Sequence, residues 1–149
     1  MASTTSNSSN PAVISGSCLC GGIQYEITDQ PLKRMLCHCD NCRKATGSSF
    51  MANSLLKQSQ FYIKTGESLI QRYKDTNVVS GNALIRRFCR VCGSPVYASS
   101  SVYEQFVAVT SGTMDGEEAR TWKPQDEYYC KSRREYLPVL EETKRLDTL

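Results

Sequence analysis

Eight cysteines in a chain of 149 residues are the side chains whose type and spacing could do chemistry. Seven fall in three tight groups: Cys18-Leu-Cys20, Cys37-His-Cys39-Asp-Asn-Cys42, and Cys89-Arg-Val-Cys92. Thiols this close in sequence rarely reach disulfide geometry with one another, but they converge readily on one metal ion. In a Cys-x-x-Cys knuckle the second thiolate turns back towards the first, and a following glycine supplies the positive φ that the turn needs. Cys92-Gly93 fits that pattern. Sulfur donors of this kind select zinc.

The count suggests how the thiolates divide. Two closed sites of four cysteines each would need eight clustered thiols, one more than the sequence clusters. Four plus three is the natural division. Cys18, Cys20, Cys89 and Cys92 then hold a structural zinc, while Cys37, Cys39 and Cys42 hold a second zinc with one position open. Structural sites are closed by protein ligands, whereas a catalytic site keeps a position for water or substrate. Spacing alone leaves an alternative, because Cys39/Cys42 with Cys89/Cys92 would make an ordinary zinc ribbon. His38 or Cys130 could also close the three-cysteine site. A side chain between two ligands usually points away, however, and Cys130 stands alone in a tyrosine-rich segment as a buried or idle thiol would.

Short alternating segments must position these groups. Ile23, Tyr25 and Ile27 alternate with polar neighbours at the period of a half-buried strand. Ser49–Leu56, Leu69–Tyr73, Ala83–Phe88, Pro95–Ala98 and Gln105–Ser111 read as further strands, punctuated by Gly47, Gly66 and Gly81. Only Asn41–Thr46 reads as a helical turn. Arg133–Arg145 is either a short helix or a ragged arm interrupted by Pro138. The expectation is a mainly β single domain, residues 13–138, with a flexible tail at 1–12 and an arm at 139–149.

Composition narrows the function classes. A net charge of +3 gives no strong case for nucleic acid, and no apolar run approaches the ~18 residues of a membrane span. The opening MASTTSNSSNPA has neither the basic start nor the apolar core of a secretory signal, so a cytoplasmic chain with reduced thiols is expected. A basic strip of Arg86, Arg87, Arg90, Lys131, Arg133 and Arg134 would serve a non-catalytic module that binds protein or nucleic acid, but no nucleic-acid motif accompanies it.

With Gly16-Ser-Cys-Leu-Cys-Gly-Gly-Ile-Gln-Tyr25, Cys37-His-Cys-Asp-Asn-Cys-Arg-Lys-Ala-Thr-Gly47, Phe88-Cys-Arg-Val-Cys-Gly-Ser-Pro95 and Ser111-Gly-Thr-Met-Asp115, the chain resembles the glutathione-dependent formaldehyde-activating enzyme family. The resemblance implies a β-tent, twisted antiparallel sheets stapled by two zinc ions, and the same four-plus-three division of ligands. It also implies a carbon–sulfur lyase that joins glutathione to formaldehyde. Small family members that act on a specialised metabolite, as lyase, dehydratase or isomerase, are the neighbouring expectation.

Zinc bound by three thiolates carries a formal charge of −1, making it a weak Lewis acid for a neutral carbonyl but able to accept and deprotonate a thiol. Glutathione, or an adduct of it, is therefore the expected small-molecule partner. Arg43 and Lys44, directly after Cys42, are the candidates for its carboxylates. Asp115 is a candidate general acid or base, or else a loop cap. Trp122, Tyr103, Tyr128 and Tyr129 would wall a pocket or fill the core.

Overall fold

A computed structural model describes residues 12–148, so the expected tail lies, but for Ala12, outside the described residues. Two sheets carry the fold. The smaller has three antiparallel strands in the order β1 (Val13–Ser17), β2 (Gln24–Thr28), β5 (Phe61–Thr65). The larger contains β3 (Lys33–Cys37), β4 (Met51–Lys57), β6 (Ile70–Asp75), β7 (Leu84–Cys89), β8 (Pro95–Ser100), β9 (Phe106–Thr110), β10 (Asp126–Tyr128) and β11 (Lys144–Arg145). Its spatial order is β11-β10-β3-β4-β9-β8-β7-β6. Pairing is antiparallel except around β10, which runs parallel to both β3 and β11.

The alternation of β2 explains the main core. Tyr25 and Ile27 point inward and are almost wholly buried. They meet Ile14 from β1, Phe61 from β5, and Leu56, Val107 and Val109 from β4 and β9, so one apolar cluster spans both sheets. Strand β4 is buried on both faces. Ser54 and Leu56 turn towards that core, while Met51, Asn53 and Leu55 turn the other way. The second face belongs to the candidate site.

Among the described residues there are two α-helices. The helical turn expected at Asn41–Thr46 is α1 (Asp40–Thr46). A second helix, α2 (Gly116–Thr121), corrects the reading that Asn41–Thr46 was the only one. Gly-Glu-Glu-Ala-Arg-Thr has no apolar stripe, and Ala119 alone of it packs against the core, so the periodicity that reveals helices is missing. The expected strands are present with shifts of one or two residues. β1, β3 and β5 were not expected from alternation. Arg133–Arg145 is an irregular arm ending in β11, and backbone bonds from the Cys130 N–H to the Leu146 carbonyl and from the Leu146 N–H to the Glu127 carbonyl hold that end against β10.

One close approach shapes the small sheet. Gly16 faces Tyr25 across β1 and β2, and the phenol ring lies over the glycine, with its hydroxyl 2.9 Å from Thr113 Oγ1. A Cβ on Gly16 would stand 2.0 Å from Tyr25 Cζ. Gly16→Ala is therefore expected to lower stability by about 2 kcal/mol or more in urea unfolding, because the ring must leave its buried place. Gly112→Ala, which meets open space, should stay within about 0.5 kcal/mol of the parent.

Candidate functional site

All eight cysteines are free thiols, and seven gather in two clusters. In the first, the sulfurs of Cys18, Cys20, Cys89 and Cys92 lie within 4.8 Å of one another. Cys18 and Cys20 follow β1 in the turn to β2, Cys89 ends β7, and Cys92 follows in the next turn. That turn is closed by backbone bonds from Gly93 to Cys89 and from Cys89 to Ser94, with Gly93 at φ 74°. Sulfur separations of 3.5 Å (Cys18–Cys20) and 3.8 Å (Cys20–Cys89) compare with the about 3.8 Å set by a tetrahedron of Zn–S bonds. Ser94 braces the group: its hydroxyl accepts from the Leu19 N–H at 2.9 Å and stands 3.3 Å from Cys92 Sγ. That contact and the Ser94 backbone N–H draw the Cys92 thiol down to about 5.

The second cluster is buried. Cys37, Cys39 and Cys42, each under one-tenth exposed, bring their sulfurs within 4.8 Å of one another, Cys37–Cys39 being 3.4 Å. Cys37 closes β3, and Cys39 caps α1 with its own sulfur, which accepts the Cys42 N–H at 3.4 Å. Hydrogen bonds from the Cys37 and Cys42 thiols hold Cys39 far below the ordinary thiol range, while Cys37 as donor is pushed up. Cys39 and Cys42 thus gather with Cys37 and not with the Cys89 knuckle. Donor type, number and separation in both clusters fit a thiophilic metal ion.

His38 points away from its neighbouring thiols. It is fully buried, with Nε2 3.0 Å from Glu127 Oε1. Glu127, also fully buried, accepts from Arg133 Nε at 3.2 Å and Thr143 Oγ1 at 2.9 Å. Burial alone would raise the Glu127 carboxyl, but the bonds from His38, Thr143 and Arg133 outweigh it and hold the carboxyl low. The loop carrying Cys37 and Cys39 is thereby tied to β10 and the C-terminal arm. Tyr128 and Tyr129 pack against the sulfurs, and Tyr129 sits at φ 56°. Burial and the three thiols raise the Tyr129 phenol, so it stays neutral beside them.

The positive group beside the cluster is one that sequence proximity did not reveal. Arg86, from β7, places Nη2 4.0 Å from Cys42 Sγ, and its Nε donates to Asp75 Oδ2 at 2.8 Å. Burial would lower its pKa, yet the bond to Asp75 and the charge at Cys42 raise it. Asn41, at the start of α1, fixes Asp75 through two bonds of 2.9 and 3.1 Å. Pairing of β6 with β7 brings residues 75 and 86 together, and the side chain of Asn41 reaches Asp75 from α1. A cavity of 370 Å³ opens on this cluster, with Cys42, Arg86, Met51 and Asn53 in its wall and Tyr103 at its lining. A second cavity of 360 Å³ shares Met51, Arg86 and Ala98 with it.

The other expected residues lie elsewhere. Arg43 pairs with Asp40 at 3.1 Å, Lys44 is exposed, and neither lines these two cavities. Asp115 accepts from Ser17 Oγ at 2.9 Å, makes no side-chain cap on α2, and lines a separate cavity with Tyr25 and Lys64. Trp122 donates to Ser54 Oγ at 3.0 Å and packs on the main core. Cys130 bonds the Glu127 carbonyl at 3.4 Å, and burial raises its thiol. The expected basic strip is dispersed: Arg86 pairs with Asp75, Arg133 with Glu127, and Arg87 stacks over Tyr97. Among the described residues no helix is long and apolar enough to cross a membrane.

A family model described as glutathione-dependent formaldehyde-activating enzyme matches residues 13–132. A crystal structure of a Rhodobacter sphaeroides protein, a structural-genomics target, superposes with a TM-score of 0.56 at 20% identity, covering 71% of this chain and 92% of that one. At that identity the likeness is one of fold. No curated protein gives a significant match.

Two metal equivalents per chain are expected by elemental analysis. Cys89→Ser should lose one and lower the melting temperature by about 10 °C or more, since an ion held by these four sulfurs would join the two sheets. Cys42→Ser should lose the other while far-ultraviolet circular dichroism is retained. Glu127→Gln should cost about 3 kcal/mol, because it removes the charge that His38 and Arg133 face in a buried place.

Proposed function

Because the chain belongs to the glutathione-dependent formaldehyde-activating enzyme family, we propose that it joins a thiol, glutathione first among candidates, to a small aldehyde, or releases it again. One observation carries this reading: three convergent buried thiols, not four, with one of them forming part of a cavity wall. Zinc is the ion we assign to both clusters. At Cys37, Cys39 and Cys42 it would supply a Lewis acid that lowers the pKa of an incoming thiol. We assign Cys18, Cys20, Cys89 and Cys92 a structural role only.

The reaction is an addition across a carbonyl. The sulfur lone pair forms a C–S bond, the carbonyl π pair moves to oxygen, and that oxygen takes up the proton the thiol gave up. No redox partner is needed. Arg86 offsets the negative charge gathered at the thiolates, while Asp75 and Asn41 hold its guanidinium in place. Apolar walls limit water at the cluster, which favours thiol addition over hydration of the aldehyde. Arg43 and Lys44 lie in the last turn of the helix that carries Cys42, and we retain them as the groups that would meet glutathione's carboxylates outside the cavity.

Cobalt in place of zinc gives a visible test. Titration with glutathione should change the thiolate charge-transfer band of one metal in a saturable way. Cys39→Ala should abolish that change and leave the bands of the other cluster. Added carbon-13 formaldehyde should then yield the hydroxymethyl thioether resonance faster than in buffer. Absence of any band change at millimolar glutathione would remove the thiol chemistry.

A further inference from the structure

The cavity beside Cys42 differs in character from a formaldehyde site. Its wall is built by Met51, Leu55, Leu84, Ala98, Phe106 and Ala108, drawn from β4, β7, β8 and β9. The polar groups in its lining are Cys42, Arg86, Asn53, Ser99, Ser100 and Tyr103. The Arg86 charge is already matched by Asp75, so the cavity offers no unpaired charge to a carboxylate or ammonium. Formaldehyde, with two non-hydrogen atoms, would leave most of 370 Å³ unfilled. That space suits about a dozen such atoms at the ~30 Å³ a water claims in liquid.

Asn53 supplies the specific contact. The residue is 8% exposed and lines the cavity, which leaves its amide open to a ligand there. Directly across the β4–β9 ladder stands Thr110, which lines the adjoining cavity and whose Oγ1 is buried without a partner among the described residues. A buried hydroxyl left unpaired is costly, and such groups are normally matched. An amide open to an apolar hollow that reaches a thiol, with an unpaired hydroxyl beside it in the adjoining cavity, marks the place where a ligand's polar atom is received. An amide N–H donates to a carbonyl oxygen, and a threonine hydroxyl can do the same.

We propose that this cavity binds an uncharged, mainly apolar carbonyl compound of about a dozen non-hydrogen atoms, its oxygen held by Asn53 on the side towards Cys42 and Arg86. The assignment rests on the reading of the three-thiol cluster as the reacting centre, and replaces formaldehyde by a larger aldehyde as the electrophile. Glutathione's own charges find no partner in this hollow, so its peptide portion lies outside.

The test uses the zinc-loaded chain and three probes: cyclohexanone, cyclohexanecarboxylate and glutathione. In nitrogen-15 correlation spectra, cyclohexanone should shift the Asn53 side-chain amide and the Ala98 and Ala108 backbone signals saturably. The carboxylate should bind at least tenfold more weakly, a comparison that requires no variant. Asn53→Leu should weaken cyclohexanone about tenfold, as loss of one buried hydrogen bond requires. Ala108→Phe should abolish binding, with unfolding curves confirming that each variant is folded. Equal affinity for the carboxylate, cyclohexanone binding untouched by both folded variants, or no saturable shift would overturn the proposal. A cobalt-loaded chain that responds to thiol but not to cyclohexanone sinks this inference alone. Cyclohexanone binding without a thiol response supports it and sinks only the thiol chemistry.

Discussion

The convergence of four sulfurs at one point is the constraint on which the rest of the molecule is arranged. Cys20 and Cys89 are separated by 69 positions, yet their sulfurs stand 3.8 Å apart. The first pair rides on the turn of the small sheet, the second on the end of β7 at the far side of the large one. Bringing them together fixes how the small sheet lies over the large sheet, and with it the apolar cluster of Tyr25, Ile27, Leu56, Phe61 and Val109. A chain of this length buries a limited core, so a cross-link of this type does much to define a single packing.

From that arrangement follows the two-faced role of β4. With Ser54 and Leu56 committed to the core beneath the small sheet, the alternate residues Met51, Asn53 and Leu55 must face outward from it. They do not meet water freely, because α1 and the thiol cluster cover one end of that face and neighbouring strands line the rest. The same strand therefore serves as floor for the core and as wall for the cavity. Around the thiols the charges are graded: Arg86 is positive and ion-paired, Tyr129 remains neutral, and Glu127 is held behind His38 away from the sulfurs.

What the sequence disclosed and what it hid have physical reasons. The mainly β character was legible because Tyr25 and Ile27 alternate with polar residues, and α1 was legible from the motif around it. The cysteine groups were visible because metal knuckles are local, with turns only a few residues long. β3 was hidden, since Lys33-Arg-Met-Leu-Cys37 carries no alternation and is buried through β10 pairing from far along the chain. Arg86 was read as one member of a basic strip, because nothing near it in sequence ties it to Cys42. Pairing of β7 with β6 turns it instead towards Asp75 and Cys42. Asn53 and Glu127 gave no signal at all, being single polar residues whose meaning comes from what folds against them.

The clamp on the Cys37–Cys39 loop has a temporal side. His38 is anchored by Glu127, and Glu127 in turn by Thr143. On a ribosome, Thr143 emerges about 100 residues after His38, which at 5–20 residues per second is roughly 5–20 s. The four-cysteine cluster can assemble once Cys92 has emerged, well before that. For the interval between, the three-thiol loop lacks its anchor and its thiols are open to oxidants and to competing metals. The order of synthesis thus lets the four-sulfur cluster gather first and leaves the three-thiol cluster to be anchored last.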